Sequence, residues 1–395
     1  MESLLEMSCI GVDPVGVKLM APKLIHLNLK LEGLTAPQAN ILKQEMLSVG
    51  GDAAVSVGVI NCSVNITDAI ISGTEKQIYN VIKKLNMQPF GLKKIADRIK
   101  SAIGNIYKNE VVLEAKAKIW VLGKRTLVMG ILNVTPDSFY DGGQYLKKGD
   151  AVKKALQMAE HGADIIDVGG ESSRPSSKPV SLKEELKRVV PVIREIVKTG
   201  DVVVSVDTTK AEVAKQAIDA GASIVNDISA MRFDPLMANV CVKNKTGVIL
   251  MHMRGTPATM QTDVKYNDLM SHIFNHLEER IDFAVKAGIK KERIAIDPGI
   301  GFGKSPEDNL KIINRLSEFK AIGRPIVFGA SRKSFIGKIL GRDAKDRLEG
   351  SIATVAAGIL NGANIVRVHD VKETRIAVDM VDAIKNGSGS GVRSS

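Results

Sequence analysis

One pattern dominates the sequence between residues 127 and 370, where it occurs about eight times. A short apolar run ends in a polar residue, a loop follows, and a segment with helical spacing comes next. The runs are LVMGILN (127–133), ADIIDVGG (163–170), VVVSVD (202–207), SIVND (223–227), GVILMH (247–252), RIAID (293–297), PIVFGAS (325–331) and IVRVHD (365–370). Runs this short and apolar are typical of parallel strands that are buried on both faces. Eight strand–helix units over roughly 250 residues predict a (β/α)8 barrel, the TIM-barrel fold.

Polar residues stand at the C-terminal ends of these predicted strands. In a (β/α)8 barrel the C-terminal ends meet at one face, and the active sites of barrel enzymes lie there. A barrel that served only packing would not need so many polar groups at this face, so we expect a functional site. The residues are Asn133, Asp167, Asp207, Asn226, His252, Asp297, Ser331, Arg332, Lys333, Arg367 and His369.

The chain has 395 residues, a length that favours two domains. Residues 1–110 read as a smaller α/β domain with an alternating strand, KLIHLNLKL (23–31). Two segments there have helical spacing, one with Pro37 in its first turn and one with Thr74 as its N-cap. No chemical constellation occurs in this domain, so its role stays open as auxiliary, regulatory or in assembly. Residues 111–386 form the predicted barrel, and the Gly/Ser-rich residues 387–395 a flexible tail.

Composition and charge exclude several classes of protein. Hydrophobic residues make up 44% and charged residues 25% of the chain, as in ordinary soluble globular proteins. The three scattered cysteines predict neither a disulfide framework nor a zinc site and suit a reducing compartment. With no signal pattern and no apolar run near the ~18 residues of a membrane span, we expect a cytoplasmic protein without a membrane partner. The basic residues behind the net charge of +11 are dispersed among acids, which argues against nucleic acid. The charge is either an ordinary mixed surface with a positive bias or a field that attracts an anionic substrate.

Two predicted strands end in an aspartate. A strand-end aspartate is often only a turn residue, but at the mouth of a barrel a functional role is favoured for Asp207. In VSVDTTKAEVAKQAIDAG (204–221), Thr209 has capping-box spacing and is the predicted N-cap, which leaves Asp207 for function. The segment IAIDPGIGFGKS (294–305) ends like a phosphate-binding P-loop, but Pro298 stands where that loop needs glycine, which argues against a nucleotide cradle. The glycines after Asp297 allow close approach of a ligand, and Phe302 is either a core residue or the wall of a flat pocket.

Cationic residues follow the last two predicted strands. Arg332 and Lys333 stand where a helix begins, and cations there oppose the helix dipole, which favours an anionic or polar ligand. Ser334 beside them suits a helix cap or a carboxylate bound at the helix N-terminus. Arg367 and His369 are two residues apart on one strand and so share a face, and an anion between them would explain both.

The loop after the first barrel strand reads TPDSFYDGG and is either an ordinary turn-rich loop or a magnesium site. Asn133, Asp137 and Asp141 would supply the hard oxygen ligands that Mg²⁺ prefers near a phosphate. His272 and His276 have zinc spacing but lack the glutamate of HExxH, which favours a surface helix. Across the predicted strand ends, the carboxylates and carboxamide suit a flat amino-substituted heterocycle, and the cations suit a diphosphate.

These motifs resemble, in order, those of the dihydropteroate synthase family over about residues 125–385. The segments are ILNVTPDSFYDGG, DVGGESSRP, SVDTTKAEVAKQA, NDISA, MHMRGTPATMQ, IDPGIGFGK, GASRKSFIG and RVHDV. The resemblance implies a pterin-binding TIM-barrel transferase of folate biosynthesis and a sulfonamide target. Its reaction joins 6-hydroxymethyl-7,8-dihydropterin diphosphate to p-aminobenzoate and releases diphosphate. It also implies a homodimer.

The resemblance further implies a role for each matching residue. The pterin would be held by Asp207, Asn226, Met251, Asp297 and Lys333. The diphosphate would meet Asn133, Arg174, Arg367 and His369, with Mg²⁺ at Asn133. The p-aminobenzoate would lie among Phe139, Ser173, Pro175, Phe302 and Ser334. Catalysis would fall to Asp141, Lys333, Arg367 and His369, in an SN1-like departure of diphosphate followed by attack of the aniline nitrogen.

Two other function classes fit parts of the same pattern. A methyltetrahydrofolate:corrinoid methyltransferase shares the pterin site but holds no diphosphate, so Arg174, the Arg367-x-His369 pair and the TPDSF loop favour the synthase. A non-catalytic barrel would be expected to lose some of the strand-end polar groups, and none is missing. Serines at 173 and 176 and the GASR segment depart from the common family pattern beside the p-aminobenzoate side. These departures bear on sulfonamide sensitivity and on which arylamine is the acceptor more than on the reaction.

Overall fold

The computed structural model describes residues 2–116, 118–135, 144–172, 179–261 and 264–387. The chain divides into two units, Met1–Asn105 and Ile106–Ser395. Among the described residues, no helix is long and apolar enough to cross a membrane.

The first unit is built on a three-stranded antiparallel sheet of order β1-β3-β2. Its elements are α1 (Glu2–Cys9), α2 (Pro14–Leu24), β1 (His26–Thr35), α3 (Ala36–Ser48), β2 (Asp52–Val55), β3 (Ile66–Thr74), α4 (Glu75–Leu85) and α5 (Leu92–Ile106). The predicted N-cap Thr74 is confirmed, because its hydroxyl accepts from the backbone N–H of Gln77 while the Gln77 side chain accepts from that of Thr74. Pro37 lies in the first turn of α3, as predicted.

The second unit contains eight parallel strands that follow one another around a barrel in chain order. They are β6 (Leu127–Asn133), β7 (Ile165–Gly169), β8 (Val203–Asp207), β9 (Ile224–Asp227), β10 (Gly247–Met251), β11 (Ile294–Asp297), β12 (Val327–Phe328) and β13 (Ile365–Val368), preceded by a hairpin of β4 (Val111–Glu114) and β5 (Ile119–Leu122). β13 pairs with β6, and a parallel bridge between Ile296 and Ile326 joins β11 to β12. The predicted (β/α)8 barrel is confirmed.

Helices follow the barrel strands and cover their outer faces. They are α6 (Gln144–Glu160), α7 (Leu182–Thr199), α8 (Ala211–Asp219), α9 (Met237–Asn244), α10 (Leu269–Lys286), α11 (Pro306–Asn314), α12 (Ser334–Leu340), α13 (Leu348–Leu360) and α14 (Val371–Asn386). The predicted cap of α8 is wrong: α8 begins at Ala211, whose N–H donates to Asp234 Oδ2 at 2.8 Å. Thr209 is displaced from this role by a carboxylate 23 residues further along the chain, which local spacing does not reveal.

The β4–β5 hairpin closes the end of the barrel where the strands begin. Leu113, Trp120 and Leu122 of the hairpin join one apolar cluster with residues near the N-terminal ends of the strands. Glu114 of the hairpin pairs with Arg293, which stands just before β11, and this guanidinium holds the pKa of the Glu114 carboxyl below its usual range. The open mouth of the barrel is therefore at the opposite end, where the strands finish.

Candidate active site

Arg367 lies at the centre of a buried charged cluster at the mouth of the barrel. Its Nε donates to Asp167 Oδ2 at 2.7 Å, and its Nη2 donates to Asp207 Oδ2 at 2.6 Å. Asp167 Oδ2 also accepts from Asn226 Nδ2 at 3.0 Å. β7, β8, β9 and β13 thus bring these four side chains together, because parallel strands in a barrel all end at the same face.

Burial perturbs the ionisation of the groups in this cluster. It raises the pKa of Asp207 to about 7, with Arg367 opposing and Asp167 adding to the rise. It also raises the pKa of Asp297, against the effect of Lys333. Burial lowers the pKa of Lys333 to about 7, while Asp297 opposes that change. The mouth thus holds one carboxyl group, that of Asp207, and one amine, that of Lys333, that change protonation near neutral pH, as functional groups often do.

The glycine-rich loop after β11 approaches this cluster closely. Asp297 Oδ1 accepts from the N–H of Gly299 at 2.6 Å, and Lys333 Nζ donates to the carbonyl of Ile300. Gly299 has φ +71°, and a Cβ there would lie 1.9 Å from the carbonyl oxygen of His252. Only glycine fits such a position. The prediction that these glycines bring backbone close to the site is consistent with this geometry.

An apolar cluster lies beside the charged groups. Phe302, one of the predicted ligand contacts, is 8% exposed, and Met251 is 3% exposed. The Nζ of Lys333 lies 4.5 Å from the centroid of the Phe302 ring, a cation–π distance. The cluster consists of Ile228, Met251, Met253, Met260 and Phe302. It offers polarisable and aromatic surface to a flat ring.

The cations predicted to share an anion have protein partners. Arg367 forms ion pairs with the two aspartates through Nε and Nη2, and Nδ1 of His369 is 3.2 Å from the Oγ of Ser331. Arg332 makes a bidentate ion pair with Asp370, both bonds at 2.7 Å. The interpretation that Arg332 and Lys333 both bind an anionic or polar ligand is therefore wrong for Arg332. Its partner Asp370 is the second residue after β13 and lies 38 positions away in the chain.

Asn133 stands at the end of β6 next to the charged cluster. A Cβ placed on Gly169 would lie 3.8 Å from Asn133 Oδ1 and 3.8 Å from Asp207 Oδ2. The described residues contain no group of three or more His, Cys, Asp or Glu side chains that could hold a metal. Mg²⁺ takes oxygen ligands and is commonly held by one or two carboxylates plus substrate phosphates and waters. The carboxamide oxygen of Asn133 could supply one oxygen ligand beside a substrate phosphate.

Several predicted site residues lie outside the described part of the chain. They are Phe139, Asp141, Ser173, Arg174 and Pro175, together with Asp137. Ser334 is described and is the first residue of α12; Lys333 is the N-cap residue, without a side-chain capping bond. The N–H groups at this helix start are thus not capped by the Lys333 side chain.

Sequence reasoning placed Asp167 and His252 among the polar residues at the strand ends without giving either a specific role, and it gave no role to Lys304. Asp167 is fully buried, and its Oδ1 has no hydrogen-bond partner among the described residues. The available signal was an aspartate in the middle of a strand buried on both faces. Lys304 is 3% exposed, with its Nζ 2.9 Å from Nδ1 of His252. His276 of α10, a helix on the outside of the barrel, packs its ring against His252 at a centroid distance of 4.9 Å, and His272 one turn earlier is exposed.

Comparisons with known proteins identify the family of the chain. A family described as pterin binding enzyme matches residues 129–369, more than half of the chain. Dihydropteroate synthase of Synechocystis sp. is 48% identical over 263 residues, which cover 66% of this chain and 91% of the relative. The chain belongs to the dihydropteroate synthase family. It is accordingly a transferase, and the reaction of its family is the synthesis of dihydropteroate for folate.

Among solved structures, dihydropteroate synthase of Xanthomonas albilineans with 4-aminobenzoic acid matches with TM-score 0.66 and 41% identity. The match covers 70% of this chain and 98% of that one. Dihydropteroate synthase of Yersinia pestis in a sulfonamide drug complex matches with TM-score 0.66 and 42% identity, covering 70% and 100%. A probable bifunctional folylpolyglutamate synthase/dihydropteroate synthase of Halobacterium salinarum is 42% identical over 382 residues, 95% of this chain. The chain spans 45% of that synthase, about half its length.

Proposed function

We propose that the barrel joins 6-hydroxymethyl-7,8-dihydropterin diphosphate to p-aminobenzoate and produces 7,8-dihydropteroate and diphosphate. The observation that carries the proposal is the buried cluster in which Arg367 bridges Asp167 and Asp207 beside Asn226. It sets acceptors for an amino-substituted ring beside a cation for a leaving diphosphate. The family relationship supports the same reaction.

The pterin is proposed to lie deepest, on the apolar cluster and against the carboxylates. An ionised carboxylate accepts two N–H bonds, so Asp207 and Asp297 suit the amino and ring N–H groups of a pterin. Asn226 has both a donor and an acceptor, and its Nδ2 is oriented by Asp167. Met251 packs against the ring face, and Lys333 donates to a ring acceptor.

The diphosphate is proposed to lie nearer the rim, against Arg367, His369 and Asn133, with Arg174 added from outside the described residues. Positive groups placed where negative charge develops lower the barrier to departure of an anion. Asn133 would hold Mg²⁺, which when bound neutralises charge on the diphosphate. Arg367 already lies between two carboxylates, so it is oriented before the substrate arrives, and no side-chain reorganisation is required of it.

The reaction is proposed to begin with cleavage of the bond between the pterin methylene carbon and the diphosphate oxygen. The electron pair leaves with diphosphate, and the cationic charge spreads over the electron-rich dihydropterin, where Asp141 stabilises it. The p-aminobenzoate, held by Phe302 and Ser334 with Phe139, Ser173 and Pro175, attacks through its amine nitrogen. The new C–N bond makes that nitrogen acidic, and it loses a proton to solvent, so a strong general base is not required.

Two finer features belong to the same proposal. We propose a homodimer, because α14 exposes apolar side chains one helical turn apart, Ile376 at 68%, Met380 at 62% and Ile384 at 61%. We propose a cytoplasmic location, because the cysteines, Cys9, Cys62 and Cys241, are free thiols and suit a reducing compartment.

The test is release of diphosphate from the pterin diphosphate with Mg²⁺ present, measured with and without p-aminobenzoate. We expect release coupled to formation of dihydropteroate, and loss of both in Asp207→Ala through weakened pterin binding. Release without dihydropteroate would mean that another arylamine is the acceptor. A wild-type protein that binds the pterin without releasing diphosphate would contradict the proposed reaction.

A further inference from the structure

The loop between β11 and α11 is held by side chains along its whole length. Four consecutive carbonyls each accept a hydrogen bond from a different side chain. The pairs are Ile300 with Lys333 Nζ, Gly301 with Gln261 Nε2 at 3.1 Å, Phe302 with Lys304 Nζ at 3.1 Å, and Gly303 with Tyr266 Oη at 2.7 Å. A loop whose carbonyls are fixed one by one presents its side chains in a single arrangement, as a preorganised binding site requires.

Lys304 differs from the other three donors in its burial. It is 3% exposed, and its Nζ lies between the Phe302 carbonyl and Nδ1 of His252, which is 1% exposed. No carboxylate forms a salt bridge with Lys304 among the described residues. A buried lysine without an ion pair is costly, and an apolar side chain of similar length would be cheaper. Stability alone therefore does not account for a lysine here.

The partners of Lys304 direct attention to Phe302. The Lys304 Nζ is bonded to the backbone of Phe302, and the ring of the same residue lies over Lys333 Nζ and among the methionines of the apolar cluster. Bonding the carbonyl restricts the backbone rotation that would carry the ring out of this position. Nδ1 of His252 holds the amine from the other side, so the amine has a fixed place from which to donate.

We propose that Lys304 is a positioning residue that sets the place of the Phe302 ring and thereby the affinity for the arylamine substrate. Lys304 is buried and its amine donates to the Phe302 carbonyl, so it acts through Phe302 and not by contact with a substrate. The inference rests on the proposed function, in which Phe302 forms part of the p-aminobenzoate site. The inference adds a reason why the Phe302 ring lies where it does.

The test is a double-mutant cycle of Lys304→Met and Phe302→Ala, with the KM of each substrate and kcat measured for all four proteins. In the wild-type background, Lys304→Met should raise the KM for p-aminobenzoate by roughly tenfold, the order of loss expected when one hydrogen bond is removed. The KM for the pterin diphosphate should stay within about threefold, since Lys304 takes no part in the hydrogen bonds of Asp207, Asn226, Asp297 and Lys333. In the Phe302→Ala background, Lys304→Met should change the KM for p-aminobenzoate by less than about twofold, because no ring remains to be displaced.

Lys311→Met is the matched control, because Lys311 is an exposed lysine on the following helix. Equal effects of Lys304→Met in both backgrounds, or equal rises of both KM values, would overturn the inference. So would a lowered melting temperature with unchanged kinetic constants. Should Lys304→Met not fold, Lys304→Leu, which also lacks a donor, enters the same cycle with the same expected outcomes. A wild-type protein that makes no dihydropteroate refutes the proposed function, whereas normal wild-type turnover with an unchanged KM in Lys304→Met refutes only the inference.

Discussion

Replacing Arg367 with methionine tests the charged cluster most directly. The substitution leaves the carboxylates of Asp167 and Asp207 facing each other without their shared cation, at side-chain exposures of 0% and 12%. Removal of one partner from a buried ion pair costs about 3–5 kcal/mol, because the remaining charge stays buried and uncompensated. We therefore expect the free energy of unfolding, measured with urea at about pH 9, to fall by about that amount.

The loss should also depend on pH, in a direction that the pKa of Asp207 determines. In the wild-type protein burial raises this pKa to about 7 against the lowering effect of Arg367, so without Arg367 the pKa lies higher still. A carboxyl whose folded-state pKa is raised loses stability as pH rises from its unfolded value to its folded value. In the wild type this decline in the free energy of unfolding ends near pH 7. In the variant it continues above pH 7, by up to about 1.4 kcal/mol per pH unit. The difference between the two proteins should therefore be smaller at about pH 7 than at about pH 9.

Arg332→Met is the matched control for this experiment. Arg332 is also bidentate to a carboxylate, that of Asp370, but the two side chains are 34% and 18% exposed. An ion pair open to solvent contributes about 0–1 kcal/mol. A loss in Arg367→Met no larger than in Arg332→Met, or the same loss at both pH values, would refute the reasoning about the buried cluster.

Two further substitutions or conditions test other parts of the site. Because a protonated Asp207 no longer accepts two N–H bonds, the affinity for a pterin should be about tenfold lower at about pH 6 than at about pH 8, measured by calorimetry, and a flat profile would contradict that role. Gly299→Ala should lower the free energy of unfolding by more than about 2 kcal/mol, because its Cβ would lie 1.9 Å from the His252 carbonyl oxygen. Gly341→Ala, with a similar φ of +63° and open space around it, should cost only about 1 kcal/mol. Equal losses in the two glycine variants would show that the clash is relieved.

The fold was predictable because its signal is local. Each barrel strand is short and must be apolar on both faces, so each strand can be recognised from a run of a few residues. The meeting of Asp207, Asn226 and Arg367 followed from the same pattern, since parallel strands in a barrel all end at one face.

The partners of these residues were not predictable, because they depend on how the strands are staggered around the barrel. Arg367 bonds carboxylates 160 and 200 positions away, and the cap of α8 comes from Asp234 in another loop. The position of Lys304 was not predictable either. The sequence suggests only the lysine of a P-loop, which would bind phosphate through its charge. The position of Lys304 depends on His252, 52 residues earlier, which spacing within one motif cannot indicate.

The β4–β5 hairpin, which closes the end of the barrel where the strands begin, has a consequence for the design of shorter fragments. The family match begins at Met129, so a fragment cut to that match would omit Leu113, Trp120 and Leu122. The barrel residues that these side chains cover, among them Ile165 and Ile249, would then face water. Such a fragment would expose a ring of apolar side chains and would be prone to association and precipitation. The smallest piece of this chain that keeps its barrel intact therefore begins no later than Val111.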